Sequence, residues 1–180
     1  TIWVNGTVTE LNEGAAKPAI NDTRFGVEPA FWNGTHFAFK NNTAITDATV
    51  YLRVNFTDLA GKTGLDTVYF TLDTTLPIVS ITYPTEGAYL DSLATIWVNG
   101  TVTELNKGAA EPVINDTVKF GVHPFFWNGT HYAFKNQTAI TDGQISVSVS
   151  FTDLAGNTGS ASVTFTIDTV YPCLLYTSDA

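Results

Sequence analysis

Nine asparagines in this chain stand in the pattern Asn-x-Thr: Asn5, Asn21, Asn33, Asn41, Asn55, Asn99, Asn115, Asn128 and Asn136. In an exported protein this tripeptide accepts an N-linked glycan on the side-chain amide, which must then lie at the surface. Six of the nine follow an aromatic residue by two positions, at Trp3, Phe31, Phe39, Trp97, Phe126 and Phe134. Residues two apart on a strand share a face, so such a ring would lie beneath the first sugar. Asn, Gly and Thr are also common in the turns and strands of any extracellular β protein, so the pattern fits unmodified asparagines as well. Trp3 and Trp97 are a separate candidate for carbohydrate chemistry. In TIWVNGTV the inward set is Ile96, Val98 and Val102, which leaves Trp97 on the outer face with Asn99 and Thr101. An exposed indole there offers a π-face to the C–H face of a pyranose, so Trp3 and Trp97 are the expected sugar-binding residues if there are any. The favoured alternative packs Trp97 under the loop of residues 105–112. Trp32 and Trp127 read as core or hairpin aromatics.

Catalytic patterns are absent: the chain has no nucleophile elbow, zinc-protease helix, phosphate loop or paired-cysteine motif. His36 and His131 are equivalent positions just after an Asn-Gly pair, while His123 stands where the other copy has Glu28. A constellation with one optional member is not expected to be catalytic, so the histidines read as turn or surface residues and no enzyme activity is expected. The recurring acids Asp58/Asp153, Asp73/Asp168 and Glu10/Glu104 raise the question of calcium, which needs six to eight oxygens. No D-x-D-x-D loop is present, and each Asp is expected to cap its own turn. No cofactor is expected, with calcium the one candidate kept in view.

The elements that must position these residues come from an internal duplication. TIWVNGTVTELN occurs at residues 1–12 and again at 95–106, and 54 of 77 aligned positions agree once Lys119 is treated as an insertion. Repetition at that level makes the repeat the unit of folding. Within each copy, apolar residues alternate with polar ones. Ile145, Val147, Val149 and Phe151 alternate with serines, matched by Val50, Leu52, Val54 and Phe56; Val163, Phe165 and Ile167 match Val68, Phe70 and Leu72. Strict alternation puts one face on a core and the other in water, as in an antiparallel sheet. DLAGK (58–62) and DLAGN (153–157) read as hairpin turns, as do Asn33-Gly34 and Asn128-Gly129. No stretch has helical periodicity, and the expected class is all-β.

The string DTTLPIVSITYPTEGAYL at residues 73–90, followed by SFTDLAGNTGSASVTFTIDT at 150–169, resembles the bacterial Ig-like repeats of large prokaryotic surface proteins and adhesins. That family opens each module with D-T-x-x-P, turns after its first strand with P-x-x-G, and places T-D-x-A-G-N between its last two strands. The resemblance implies two tandem Ig-like β-sandwich domains at 1–74 and 75–172. The first lacks the N-terminal strand that residues 78–83 supply in the second, and it is expected to be the less stable. It further implies an extracellular or cell-surface location and a non-enzymatic structural or adhesive role as a spacer or stalk repeat. The alternative role is a carbohydrate-binding module of an adhesin or secreted enzyme. Implied partners are neighbouring repeats of the same chain and cell-surface glycans or proteins; related modules sometimes hold calcium between domains.

The formal charge of −9 and the lack of a basic cluster disfavour nucleic acid and anionic membrane as partners. No run of apolar residues is long enough to span a membrane. The chain opens at Thr1 and contains no methionine, so its true N-terminus is expected upstream. The lone Cys173 begins a tail, residues 173–180, that resembles the translation of a transposon adapter from sequencing-library preparation. The chain is therefore expected to be a metagenomic fragment, and the tail is set apart from functional inference.

Overall fold

A computed structural model describes residues 1–12, 14–91 and 95–174. The chain divides into two compact units, Thr1–Thr74 and Thr75–Ala180. The first holds β1 (Trp3–Thr7), β2 (Ala19–Ile20), β3 (Phe31–Trp32), β4 (His36–Lys40), β5 (Ala48–Thr57) and β6 (Thr63–Leu72). The second holds β7 (Ile78–Tyr83), β8 (Tyr89–Leu90), β9 (Trp97–Thr103), β10 (Val113–Ile114), β11 (Phe126–Trp127), β12 (His131–Lys135), β13 (Gly143–Thr152) and β14 (Thr158–Ile167). The described chain is all-β apart from single turns at Thr23–Phe25 and Thr117–Phe120. Those turns are too short for sequence periodicity to reveal. Each starts at an aspartate, Asp22 or Asp116, whose side chain accepts a backbone N–H. The inserted Lys119 lengthens a 3-10 turn into an α turn, and Phe25 and Phe120 are both buried at its end.

The second unit is two four-stranded sheets, β11-β12-β9-β7 and β10-β13-β14-β8, antiparallel except where β8 runs parallel to β14. The alternation predicted for β13 and β14 puts Val147, Val149, Phe151, Val163, Phe165 and Ile167 in the core. They meet Val98, Val102, Tyr132 and Phe134 of the other sheet in one apolar cluster. The hairpin between β13 and β14 forms as the DLAGN string requires. The Asp153 carboxylate accepts from Asn157 N–H at 2.9 Å, and Gly156 takes φ +90°. A side chain is disfavoured at that left-handed backbone angle, which is why glycine stands there.

The first unit repeats this plan with fewer strands, as β1-β4-β3 and β2-β5-β6. The sequence led us to expect one strand fewer than in the second unit, but both β7 and β8 lack a counterpart, one from each sheet. The turn over residues 84–87 carries the chain from the edge of one sheet to the edge of the other, so one segment supplies both. Packing suffers accordingly. Among the described residues the fully buried cluster is Phe25, Phe39, Val50 and Leu52, and Val68 is 46% exposed where its equivalent Val163 is 4%.

Candidate functional site

Six of the nine Asn-x-Thr asparagines turn out to be backbone clamps, in three equivalent pairs. Asn33 and Asn128 each accept two backbone N–H bonds, from Thr35 and His36 or from Thr130 and His131, and so close the β3–β4 and β11–β12 hairpins. Asn21 accepts from Arg53 N–H and Asn115 from Ser148 N–H, pinning β2 and β10 to the neighbouring strand. Asn41 accepts from Ile2 N–H and donates to the Thr43 carbonyl; Asn136 accepts from Ile96 N–H at 2.7 Å and donates to Thr138 at 3.0 Å. An N-linked glycan attaches to the amide nitrogen, and at Asn136 that nitrogen is bonded within a buried side chain. Asn5, Asn55 and Asn99 lie within β1, β5 and β9. Asn5 is exposed and Asn99 half-buried, and the Asn99 Oδ1 is a buried oxygen with no hydrogen-bond partner.

Rings beneath sugars do not form at two of the six expected places, because Phe39 and Phe134 are fully buried in the cores. Trp97 lies on the outer face of β9, as the inward burial of Ile96, Val98 and Val102 requires. Phe125 meets it edge-on at 5.2 Å between centroids, and the Lys135 ammonium sits 5.8 Å from its ring. The tryptophan tied to the 105–112 loop is Trp127, whose indole N–H donates to the Ala110 carbonyl. Copy one has Ala30 where copy two has Phe125. Trp3 is consequently 52% exposed, with only the Lys40 ammonium stacked near it.

The recurring acids serve turns. Glu10 and Glu104 each accept two backbone N–H bonds from the loop that follows. Asp58 caps Lys62 N–H as Asp153 caps Asn157. Burial opposes ionisation of Asp153, but bonds from the Asn157 side chain and from the backbone of Asn157, Ala155 and Gly156 outweigh it. Its carboxyl is held below the usual carboxylate range. Within the second unit the Glu104 and Asp153 carboxylates lie within 4.8 Å of each other, which is two of the oxygens a calcium shell would need. His36 and His131 are exposed at strand starts, and His123 faces Glu111 at 3.0 Å in solvent.

Sequence inspection missed a groove of about 930 Å³ in the first unit, running along β1 and β6. Its floor includes Val4, Val54 and Phe70, and Gly6 and Gly64 are on its wall. The repeated glycines on strands (Gly6/Gly100, Gly64/Gly159) were the available signal, since glycine within a strand marks close approach of another backbone.

Residues 114–169 match the family model of the bacterial Ig-like domain. Among solved structures, the chain is similar to the fibronectin(III)-like modules of Clostridium thermocellum CbhA, at 11% identity, TM-score 0.43, covering 98% of this chain and 91% of that one. The titin domains Z1Z2 in complex with telethonin match at 13% identity and TM-score 0.35, covering 92% and 86%. Domains 4 and 5 of the S-layer protein SbsC match at 10% identity and TM-score 0.33, covering 88% and 72%. No curated protein matches the chain significantly. The matched segment spans the clamp at Asn115, the Asn128 hairpin and the Asp153 turn, so the second unit is similar to the bacterial Ig-like domain over those residues.

Proposed function

We propose that the chain is a non-enzymatic spacer or stalk segment of a large extracellular surface protein, built from tandem Ig-like domains at 1–74 and 75–172. The carrying observation is how the connection between the units is anchored. Thr74 is tied to Asp47 through both its N–H and its hydroxyl, and Thr169 is tied to Asp142 in the same way one repeat later. Pro77 is buried, its carbonyl against Gly159. Thr74 and Pro77, each held within its own repeat, therefore stand three positions apart in the chain. A device that spends its paired Asp–Thr bonds on a connection, and its asparagines and acids on turns, suits load-bearing better than catalysis. No described helix is long and apolar enough to cross a membrane. Partners on this reading are neighbouring repeats.

Carbohydrate binding is supported by one observation, the half-exposed Trp3 with its adjacent Lys40. A glycan array probed with the chain, with Trp3→Ala and Trp97→Ala as controls, tests the choice. The spacer reading expects no saturable glycan signal and, under force, two unfolding events of unequal strength. A glycan signal abolished by either alanine would overturn it.

A further inference from the structure

We propose that Asn99 carries an N-linked glycan whose first sugar lies in a seat on the outer face of β9, β12 and β11, with Asn5 in the equivalent position of the first unit.

Strand register assembles the seat. Burial alternates along β9 and β12, so Trp97, Asn99 and Thr101 share the outer face with His131, Ala133 and Lys135. Asn99 stands opposite Ala133, and Ala133 stands opposite Phe126, which puts the three in one row across the sheet. Two strand spacings, about 10 Å, therefore separate Asn99 from Phe126, with only the Ala133 methyl between them. Phe126 is half-exposed and forms the far wall of this trough. Trp97, two positions before Asn99, flanks it. Phe125 meets the indole edge-on and the Lys135 ammonium lies beside it, so the flank is set in place without a ligand.

Asn99 is turned for attachment. Its Oδ1 is the one buried side-chain oxygen or nitrogen among the described residues without a hydrogen-bond partner. With the oxygen directed inward, the amide nitrogen on the same carbon faces outward. Attachment draws on a lipid-pyrophosphate-linked oligosaccharide. The amide nitrogen bonds to the anomeric carbon, the bond from that carbon to the pyrophosphate oxygen breaks, and one amide proton passes to base. The sugar then lies over Ala133, with apolar ring faces of Trp97 and Phe126 offered to its C–H groups.

The two repeats keep this face and let the other drift. The first repeat has the same residues at these outward positions, with Trp3, Asn5 and Thr7 on β1, Phe31 on β3, and Ala38 and Lys40 on β4. On the opposite outer face Tyr51, Arg53 and Asn55 become Ser146, Ser148 and Ser150. Nor are the strands simply copied whole, since the inward Phe37 of β4 becomes Tyr132 on β12. Outward aromatic and amide side chains kept in this way mark a surface with an occupant.

The test is to secrete the full 180-residue chain from glycosylating eukaryotic cells and map occupied asparagines by mass spectrometry of its peptides. Thermal melts of the parent and Asn99→Gln are then compared with the same pair made unglycosylated in a bacterial cytoplasm, and the double difference isolates the glycan at Asn99. A modified Asn99 is expected, with a rise of about 2–8 °C in the second-unit transition belonging to its glycan. In Trp97→Ala and in Phe126→Ala backgrounds most of that rise should be lost. An unmodified Asn99, a double difference of zero, or one that survives both alanines would overturn the proposal. Saturable binding of free oligosaccharides by the unglycosylated chain, lost in Trp97→Ala, would assign the seat to a free ligand and overturn the covalent attachment.

Discussion

Asn136 and Asn41 do the same work in the two units at different depths, which makes them a matched pair. Asn136→Ala leaves the Ile96 N–H buried without a partner and is expected to cost about 1–3 kcal/mol of second-unit stability in urea melts. Asn41→Ala, at a half-buried position, should cost less. Elsewhere the copies trade partners across one loop pair: Lys17–Glu28 in the first becomes Glu111–His123 in the second. A pairing kept while its charges change sides indicates a structural contact, although an exposed ion pair contributes little. Acid dependence follows from Asp153, whose carboxyl in the folded chain sits below its ordinary value of 3.8. Arg24 bonded to Asp22, and Lys119 bonded to Asp116, lower those two carboxyls as well. A group depressed on folding stabilises the fold above its unfolded pKa, and that contribution is lost as pH falls through the folded value. Asp153→Asn should therefore be less stable than the parent at pH 7, with the gap closing as urea melts are taken below the ordinary carboxyl value of 3.8.

Strands and their turns explain why equivalent glycines are not interchangeable. Gly159→Ala would force a methyl into the Pro77 carbonyl, a backbone atom that cannot swing aside, and is expected to destabilise the second unit by about 1–3 kcal/mol. Gly64→Ala in the first unit should be neutral, because no β7 equivalent crosses it. The same edge makes Tyr132→Phe informative. It removes one hydrogen bond from a ring that otherwise fills the core, and about 1 kcal/mol is expected from the second-unit transition. Burial pushes the Tyr132 phenol well above its ordinary pKa, which keeps the hydroxyl a donor at neutral pH.

Across the chain, the two units should not melt together. A fully buried Val, Leu or Phe contributes about 1.5–3 kcal/mol relative to exposure. Val68, Phe70 and Leu72 are only partly covered, whereas Val163, Phe165 and Ile167 are buried. The first unit is expected to unfold at least about 2 kcal/mol more easily, with hydrogen exchange faster in β5 and β6 than in β13 and β14. Equal protection of the two hairpins would contradict this.

The class, the repeat and the hairpins were legible in the residues themselves, because period-two alternation and Asp- or Asn-led glycine turns act over a few neighbouring positions. Val147, Val149 and Phe151 could be assigned to a core, and Asn128-Gly129 to a turn, without knowing any partner strand. Which asparagines clamp and which face solvent could not be read, since Asn136 meets Ile96 only when strands forty residues apart are paired. The same holds for Trp97, whose neighbours Phe125 and Lys135 arrive from other segments, and for the loop contact that went to Trp127 instead. At six of its nine positions the Asn-x-Thr asparagine also braces the backbone. The groove beside Gly64 was hidden for the same reason: a space between two sheets is a property of their packing and leaves no mark on any one segment.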